Sequence, residues 1–224
     1  MMTIGEACRL PDFFSRVVSM DAETTPRLTL TVTPGGISRF LPLLGQGFTV
    51  KRPAGASVEE FLCRGCGIAP DYLRDRVQTV FLNGKAIDDL AAAVVSDGST
   101  IALSAAMPGL AGAVLRKGGA YAAMHRQISH ASPSGPRASG PVRVSIKLFN
   151  LVASELGPGF LAQGVLIGGA DLQDYFRRQD RGFGKIGRAA DIDGRPVDFE
   201  KVPGIIPENG LVLLALRSAD LQSG

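Results

Sequence analysis

The sequence predicts an α+β protein made of two tandem units, each a mixed sheet packed on one helix. Three observations predict it. Period-two apolar stretches and one capped helical stretch follow each other in a set order between residues 28 and 104. The same order returns after residue 141, and turn residues of the two stretches overlay.

Residues 1–27 form a lead-in, in which Asp12 to Val18 has the pattern of a short helix with Pro11 at its start. Leu28-Thr29-Leu30-Thr31-Val32 alternates as a strand does when one face meets a core. Gly35-Gly36 marks a bend, a longer loop follows, and Phe48-Thr49-Val50-Lys51 is a second strand. These two strands are expected to form a hairpin. Ser57 suits a helix N-cap, and Glu60 three residues later completes a capping box. Val58, Phe61 and Leu62 share one face of that helix, which Gly65 and Gly67 stop. Val77 to Leu82 is a strand leading into the tight-turn pair Asn83-Gly84. Asp97-Gly98 is another turn, and Ser99 to Ser104 closes the unit as a strand.

In the second unit Val142 to Leu148 alternates as a strand, and Gly164 to Ile167 follows. A helix begins at Ala170-Asp171 with Leu172, Tyr175 and Phe176 on one face. Ala189 to Ile192 leads into Asp193-Gly194, and Asn209-Gly210 leads into the strand Leu211 to Leu216. Leu44-Gly45-Gln46-Gly47 resembles Leu161-Ala162-Gln163-Gly164 at a spacing of 117. Asn83-Gly84 matches Asp193-Gly194 at 110, and Asp97-Gly98 matches Asn209-Gly210 at 112. The spacing changes where loops differ in length. The first unit thus spans 28–119 with a glycine-rich extension, and the second spans 141–224. Between them, residues 120–140 are rich in Ser, Gly and Pro and read as a flexible linker.

Val80-Phe81-Leu82-Asn83-Gly84-Lys85 resembles the strand and turn of the β-grasp sulfur carriers, the small subunit of molybdopterin synthase and the thiamine-pathway carrier. Val94 to Leu103, through Asp97-Gly98, resembles the closing strand of that family. The resemblance covers about residues 28–119 and, more weakly, 142–219. It implies two tandem β-grasp, or ubiquitin-like, domains. Members of that family act through a C-terminal Gly-Gly, whose carboxylate is adenylated and converted to a thiocarboxylate or thioester. Glycine suits this because the tail threads a narrow active site with no Cβ. This chain departs from the pattern: its last residues are Leu221-Gln222-Ser223-Gly224. An internal Leu115-Arg116-Lys117-Gly118-Gly119 looks like a carrier tail. Gly118 and Gly119 could serve as one only after a protease cuts behind Gly119; otherwise they are a glycine-rich extension.

Whole-chain composition bounds the function. The 224 residues carry 24 Lys and Arg against 21 Asp and Glu, a balance that does not point to nucleic acid or an anionic membrane. One asymmetry stands out: Gly98 to Ser154 has no Asp or Glu, while Arg116, Lys117, Arg126, Arg137, Arg143 and Lys147 are all cationic. This stretch reads as a solvated basic linker or as a dock for an acidic partner surface. Three cysteines, Cys8, Cys63 and Cys66, make no disulfide framework, so a reducing cytoplasm is expected. Glu6, Arg9 and Asp12 interrupt any signal-peptide layout, and no apolar run approaches the roughly 20 residues that cross a bilayer.

Reactive constellations are scarce. Cys63-Arg64-Gly65-Cys66 has C-x-x-C spacing, but zinc needs four ligands and no second pair exists. The pair also sits at a helix end, where no dipole lowers a thiol pKa, so a structural role is expected. The only histidines, His125 and His130, lie in the linker. Asp88/Asp89 and Asp191/Asp193 lie in or beside turns, where Asp forms local hydrogen bonds. Arg177, Arg178, Arg181, Lys185 and Arg188 make a basic cluster in which only Phe183 interleaves as a base-stacking platform, so a solvated face is expected over an RNA site. Met107 to Leu115 is apolar and small, with breakers near its start; it packs on a sheet or forms a partner patch.

No catalytic, cofactor or metal residue is therefore expected. The reading is a non-catalytic tandem ubiquitin-like protein that binds a protein partner. Two alternatives are a sulfur-carrier-like protein activated at Gly119 after cleavage, and a small-molecule binding protein.

Overall fold

The computed structural model describes residues 25–53, 57–105, 140–179 and 183–219. Ten strands join into one mixed sheet. They are β1 (Arg27–Val32), β2 (Phe48–Pro53), β3 (Thr79–Leu82), β4 (Lys85–Ile87), β5 (Thr100–Ser104), β6 (Pro141–Phe149), β7 (Val165–Gly168), β8 (Gly187–Ile192), β9 (Arg195–Val197) and β10 (Leu211–Ser218). Their order across the sheet is β4-β3-β5-β6-β2-β7-β10-β1-β8-β9. Two neighbouring pairs, β5/β6 and β1/β10, are parallel; the rest are antiparallel.

Six α-helices accompany the sheet. They are α1 (Leu41–Gln46), α2 (Val58–Glu60), α3 (Pro70–Asp75), α4 (Asn150–Gln163), α5 (Gly169–Arg177) and α6 (Val202–Ile205). A 3-10 turn at Pro34–Phe40 leads into α1, and α2 widens into a π turn at Phe61–Gly65. Ser57 caps α2 as its sequence demands, its Oγ accepting from the Glu60 backbone N–H at 3.2 Å. Asn83 and Gly84 take left-handed φ of 51° and 79°, as do Asp193 and Gly194 at 52° and 75°. Both pairs thus make the tight primed turns that the right-handed twist of β3/β4 and β8/β9 requires.

Strand alternation decides which face the helices cover. In β6, Val142, Val144, Ile146 and Leu148 are buried, while Arg143 and Phe149 are exposed and Ser145 and Lys147 half-buried. Phe48 of β2 packs on Phe160 of α4 with ring centroids 5.1 Å apart. Phe40 meets Tyr175, Phe176 and Phe183 at 5.4–6.4 Å, fastening the turn before α1 to α5. Helices α1 and α4 cross at Gly157, where a Cβ would lie 2.6 Å from Leu41 and 2.9 Å from Leu44. One apolar cluster runs from Leu28 to Leu216 through both halves of the chain.

Three expectations need correction. β1 and β2 form no hairpin. The 34–46 connection is helical and carries the chain across the apolar face, so β1 pairs with β10 and β8 while β2 pairs with β6 and β7. Residues 150–163, to which the sequence reading gives no element, are helix α4, the longest described. And the strands of 28–104 and 141–219 do not form two self-contained sheets. β6 lies between β5 and β2, and β1 lies between β10 and β8. The helix predicted at 12–18, the linker and the 105–119 extension beyond Ala105 lie outside the described residues. No helix among the described residues is long and apolar enough to cross a membrane.

Candidate functional site

Because the helices cover one face of the sheet, the strands turn their alternate residues to the other. A transverse row on that open face follows the register: Arg27 beside Leu213, Leu213 beside Leu166, Leu166 beside Thr49, Thr49 beside Ser145, and Ser145 beside Thr100. Registered neighbours share a face, so this row crosses six strands on one side. Thr49 and Leu166 form the seam where β2 meets β7. On the β7/β10 side of the seam the face carries half-buried Leu166, Leu211 and Leu213 and buried Ala215, with exposed Arg217 toward the end of β10 and Arg27 beside Leu213. On the β2/β6 side it is cationic.

Lys51 stands directly opposite Arg143 in the β2/β6 ladder, where like charges repel. Lys147 lies two residues beyond Ser145. Its stem runs across Gly47, whose missing Cβ would come 3.3 Å from Lys147 Cε. Asp191 is the one carboxylate carried by any described strand. Cations on the helices behave differently. Arg64 pairs with Glu60 at 3.1 Å, Arg74 with Asp71 at 2.8 Å, Arg177 with Asp174 at 3.1 Å, and Arg76 of the α3 end with Glu155 of α4. The Glu155 carboxyl is held below its ordinary range by hydrogen bonds from Arg76 and then Tyr72. Among the described residues, the side chains of Arg27, Arg143, Lys147 and Arg217 make no ion pair and no hydrogen bond.

The cysteine pair is set in the core rather than in a reactive cleft. Cys63 is half-buried and Cys66 buried, at the end of the π turn. Burial pushes the Cys66 thiol up to about 12, although the neighbouring Arg52 opposes the shift. Burial and then Glu59 push Cys63 up as well. Arg52 is itself buried, donating from Nε to the Gly65 carbonyl at 2.8 Å and from Nη1 to the Lys51 carbonyl at 2.9 Å. Burial lowers its pKa. Such thiols stay protonated near neutrality and are poor nucleophiles.

The turn carboxylates do local work, as their positions imply. Asp89 Oδ1 accepts from the Ala91 and Ala92 N–H groups at 3.0 Å, Asp191 Oδ1 from Gly194 at 3.2 Å, and Asp193 Oδ1 from Arg27 at 2.8 Å. Phe183 is buried among aromatic rings and cannot stack a base. Arg177 is engaged by Asp174 and Gln173, and Arg188 by backbone carbonyls of Lys185 and Gly187. Among the described residues no group of three His, Cys, Asp or Glu could hold a metal ion. Gly118, Gly119, Cys8, His125, His130, Arg181 and the Met107–Leu115 stretch lie outside the described residues.

Sequence reasoning singled out Arg143 and Lys147 by charge but missed Lys51 and the leucines beside them. The available signal was the alternation of Val142 to Leu148, which sends Arg143, Ser145 and Lys147 to one side. Which strands flank β6 has no local signature. Compared with known proteins, the chain matches no family model, no curated protein and no solved structure.

Proposed function

We propose that this chain is a ubiquitin-like β-grasp protein that serves as a non-catalytic protein-interaction module. The fold reading draws on the order β4-β3-β5-β6-β2, a five-strand mixed group with one parallel pair beside the α2 helix. The group β7-β10-β1-β8-β9 has the same sequence of strand directions, read from its seam outward. Each group borrows one strand from the other half of the chain, so the two grasp units are interleaved. The observation that carries the interaction reading is the open sheet face. It sets half-buried leucines near Arg143 and Lys147, whose side chains make no ion pair among the described residues, a composition that suits a partner surface.

The test is site-specific photo-crosslinking in cells that carry the chain. A photo-reactive residue in place of Leu213 on the open face should capture one protein in stoichiometric yield. The same residue in place of exposed Glu59 on α2 should not. Capture at neither site, with measurable turnover by the purified protein, would remove the interaction reading.

A further inference from the structure

Independently of that reading, we infer that residues 25–105 and 140–219 are obligate binding partners of each other, so that a chain cut between residues 106 and 139 persists as one protein of two fragments. The reason lies in strand pairing. Among the described residues β1 pairs only with β10 and β8, and β2 only with β6 and β7, so both strands find every partner in the other half. β6 likewise pairs only with β5 and β2. Taken alone, the first half keeps the three short strands β4-β3-β5, and the second keeps two separate pairs, β7/β10 and β8/β9. An isolated two-stranded pair is marginally stable at best. The β4-β3-β5 group would end at a bare edge, where Ile101 and Leu103 lose the Ile146 and Leu148 beside them.

Side chains join the halves as a core does. Val142, Val144, Ile146 and Leu148 of β6 are at most 1% exposed in the slot of the first half, and Leu28, Leu30 and Val32 of β1 are equally buried in the slot of the second. Phe48 meets Phe160 across the halves, and Phe40 meets Tyr175, Phe176 and Phe183. Tyr72 Oη donates to Glu155 Oε2 at 2.7 Å, Tyr175 Oη to the Arg39 carbonyl at 2.5 Å, and the Thr33 N–H to the Ile186 carbonyl at 2.8 Å. Such a surface is a core cut in two, which belongs to permanent rather than transient complexes. The slot between β5 and β2 fits one kind of ligand: a strand with apolar residues at alternate positions, running parallel to β5 on one edge and antiparallel to β2 on the other. Joining the halves in one chain raises the concentration of each around the other, but it does not supply the pairing that orders them.

The test uses the full chain with a site-specific protease sequence inserted between Ser134 and Gly135. After cutting, the two fragments should elute together at the volume of the uncut protein, with the backbone amide spectrum of residues 25–105 and 140–219 unchanged. The melting midpoint of the cut protein should rise by roughly 3–5 °C per tenfold rise in concentration, as for a two-chain assembly, while that of the uncut chain stays fixed. Separated in urea and diluted singly, each fragment should lack dispersed amide resonances. Mixing the two should restore the spectrum at a rate that rises with concentration. Fragments that part on gel filtration would overturn the inference, and so would either fragment folding by itself. Both results leave the crosslinking at Leu213 untouched, so the two readings fail separately.

Discussion

Thr49 and Leu166 face each other across the β2/β7 seam, each two residues past the glycine that ends the preceding helix. Gly47 and Gly164 both take left-handed φ, at 122° and 96°, and each aims its strand into the same central seam. Positions that correspond in the two halves thus meet each other, as a two-fold relation between halves would place them. Beyond the seam the correspondence stops: β6 lies next to β2, but β10 lies next to β7.

Leu166 belongs to the open face and Leu214 to the covered one, so truncation should separate them. Leu214→Ala is expected to cost about 3–4 kcal/mol, within the range for a fully buried leucine. Leu166→Ala should cost roughly 1–2 kcal/mol, because part of its side chain already meets solvent. Urea unfolding of both variants checks the difference. Equal costs would mean the open face is covered.

Glycine at 169 is dictated by backbone rather than by a turn. A Cβ there would lie 1.8 Å from the Pro207 carbonyl oxygen, which no side-chain rearrangement relieves. Gly169→Ala should destabilise by about 3 kcal/mol, at the upper end for overpacking. Gly204→Ala, with open space around it and no left-handed φ, should be neutral or stabilising by up to about 1 kcal/mol. Thermal melts of the two variants should therefore shift apart.

Ser57→Ala removes the hydroxyl that receives the Glu60 N–H and leaves the start of α2 uncapped. The expected loss is about 1 kcal/mol, with Ser57→Asp retaining most of the stability. Chemical denaturation of the pair measures it.

Alkaline stability should depend on Cys66. Its thiol ordinarily titrates near 9 and is pushed up to about 12 in the folded chain. Below 9 both states hold the proton, and its contribution to stability is whole. As pH rises from 9 toward 12 the unfolded chain loses the proton first, so stability falls, by at most about 1.4 kcal/mol per pH unit from this group. Cys66→Ala should show a shallower decline over that window than the wild type. Unfolding free energies measured from pH 8 to 10.5 test the sign, and identical slopes would show that the thiol is not buried.

Much of the local structure was legible in the sequence. The strands at 28–32, 48–51 and 142–148 announce themselves by alternation, and the Asn83-Gly84 and Asp193-Gly194 turns by their residue types. Ser57 and Glu60 mark the helix they start. Helix α4 was hidden because Pro158 sits between two glycines, yet packing against α1 at Gly157 holds it helical. Tertiary burial overrode propensity there. Strand partnership was not legible either. Nothing in Leu28 to Val32 says that its neighbours are residues 187–192 and 211–218, since hydrophobic patterning fixes a face and not a partner. For the candidate site, the outward charges on β6 could be foreseen, but the leucines brought beside them by β7 and β10 could not.

The placement of β6 between β5 and β2 bears on how the chain comes off the ribosome. Until residue 149 has emerged, the slot between those two strands stands empty, and the edges of β5 and β2 that flank it lack the strand they bind. From the end of β5 at Ser104 to the end of β6 at Phe149 the early chain waits through a further 45 residues of synthesis with that slot open, a span in which a chaperone or a neighbouring nascent chain has first access to it.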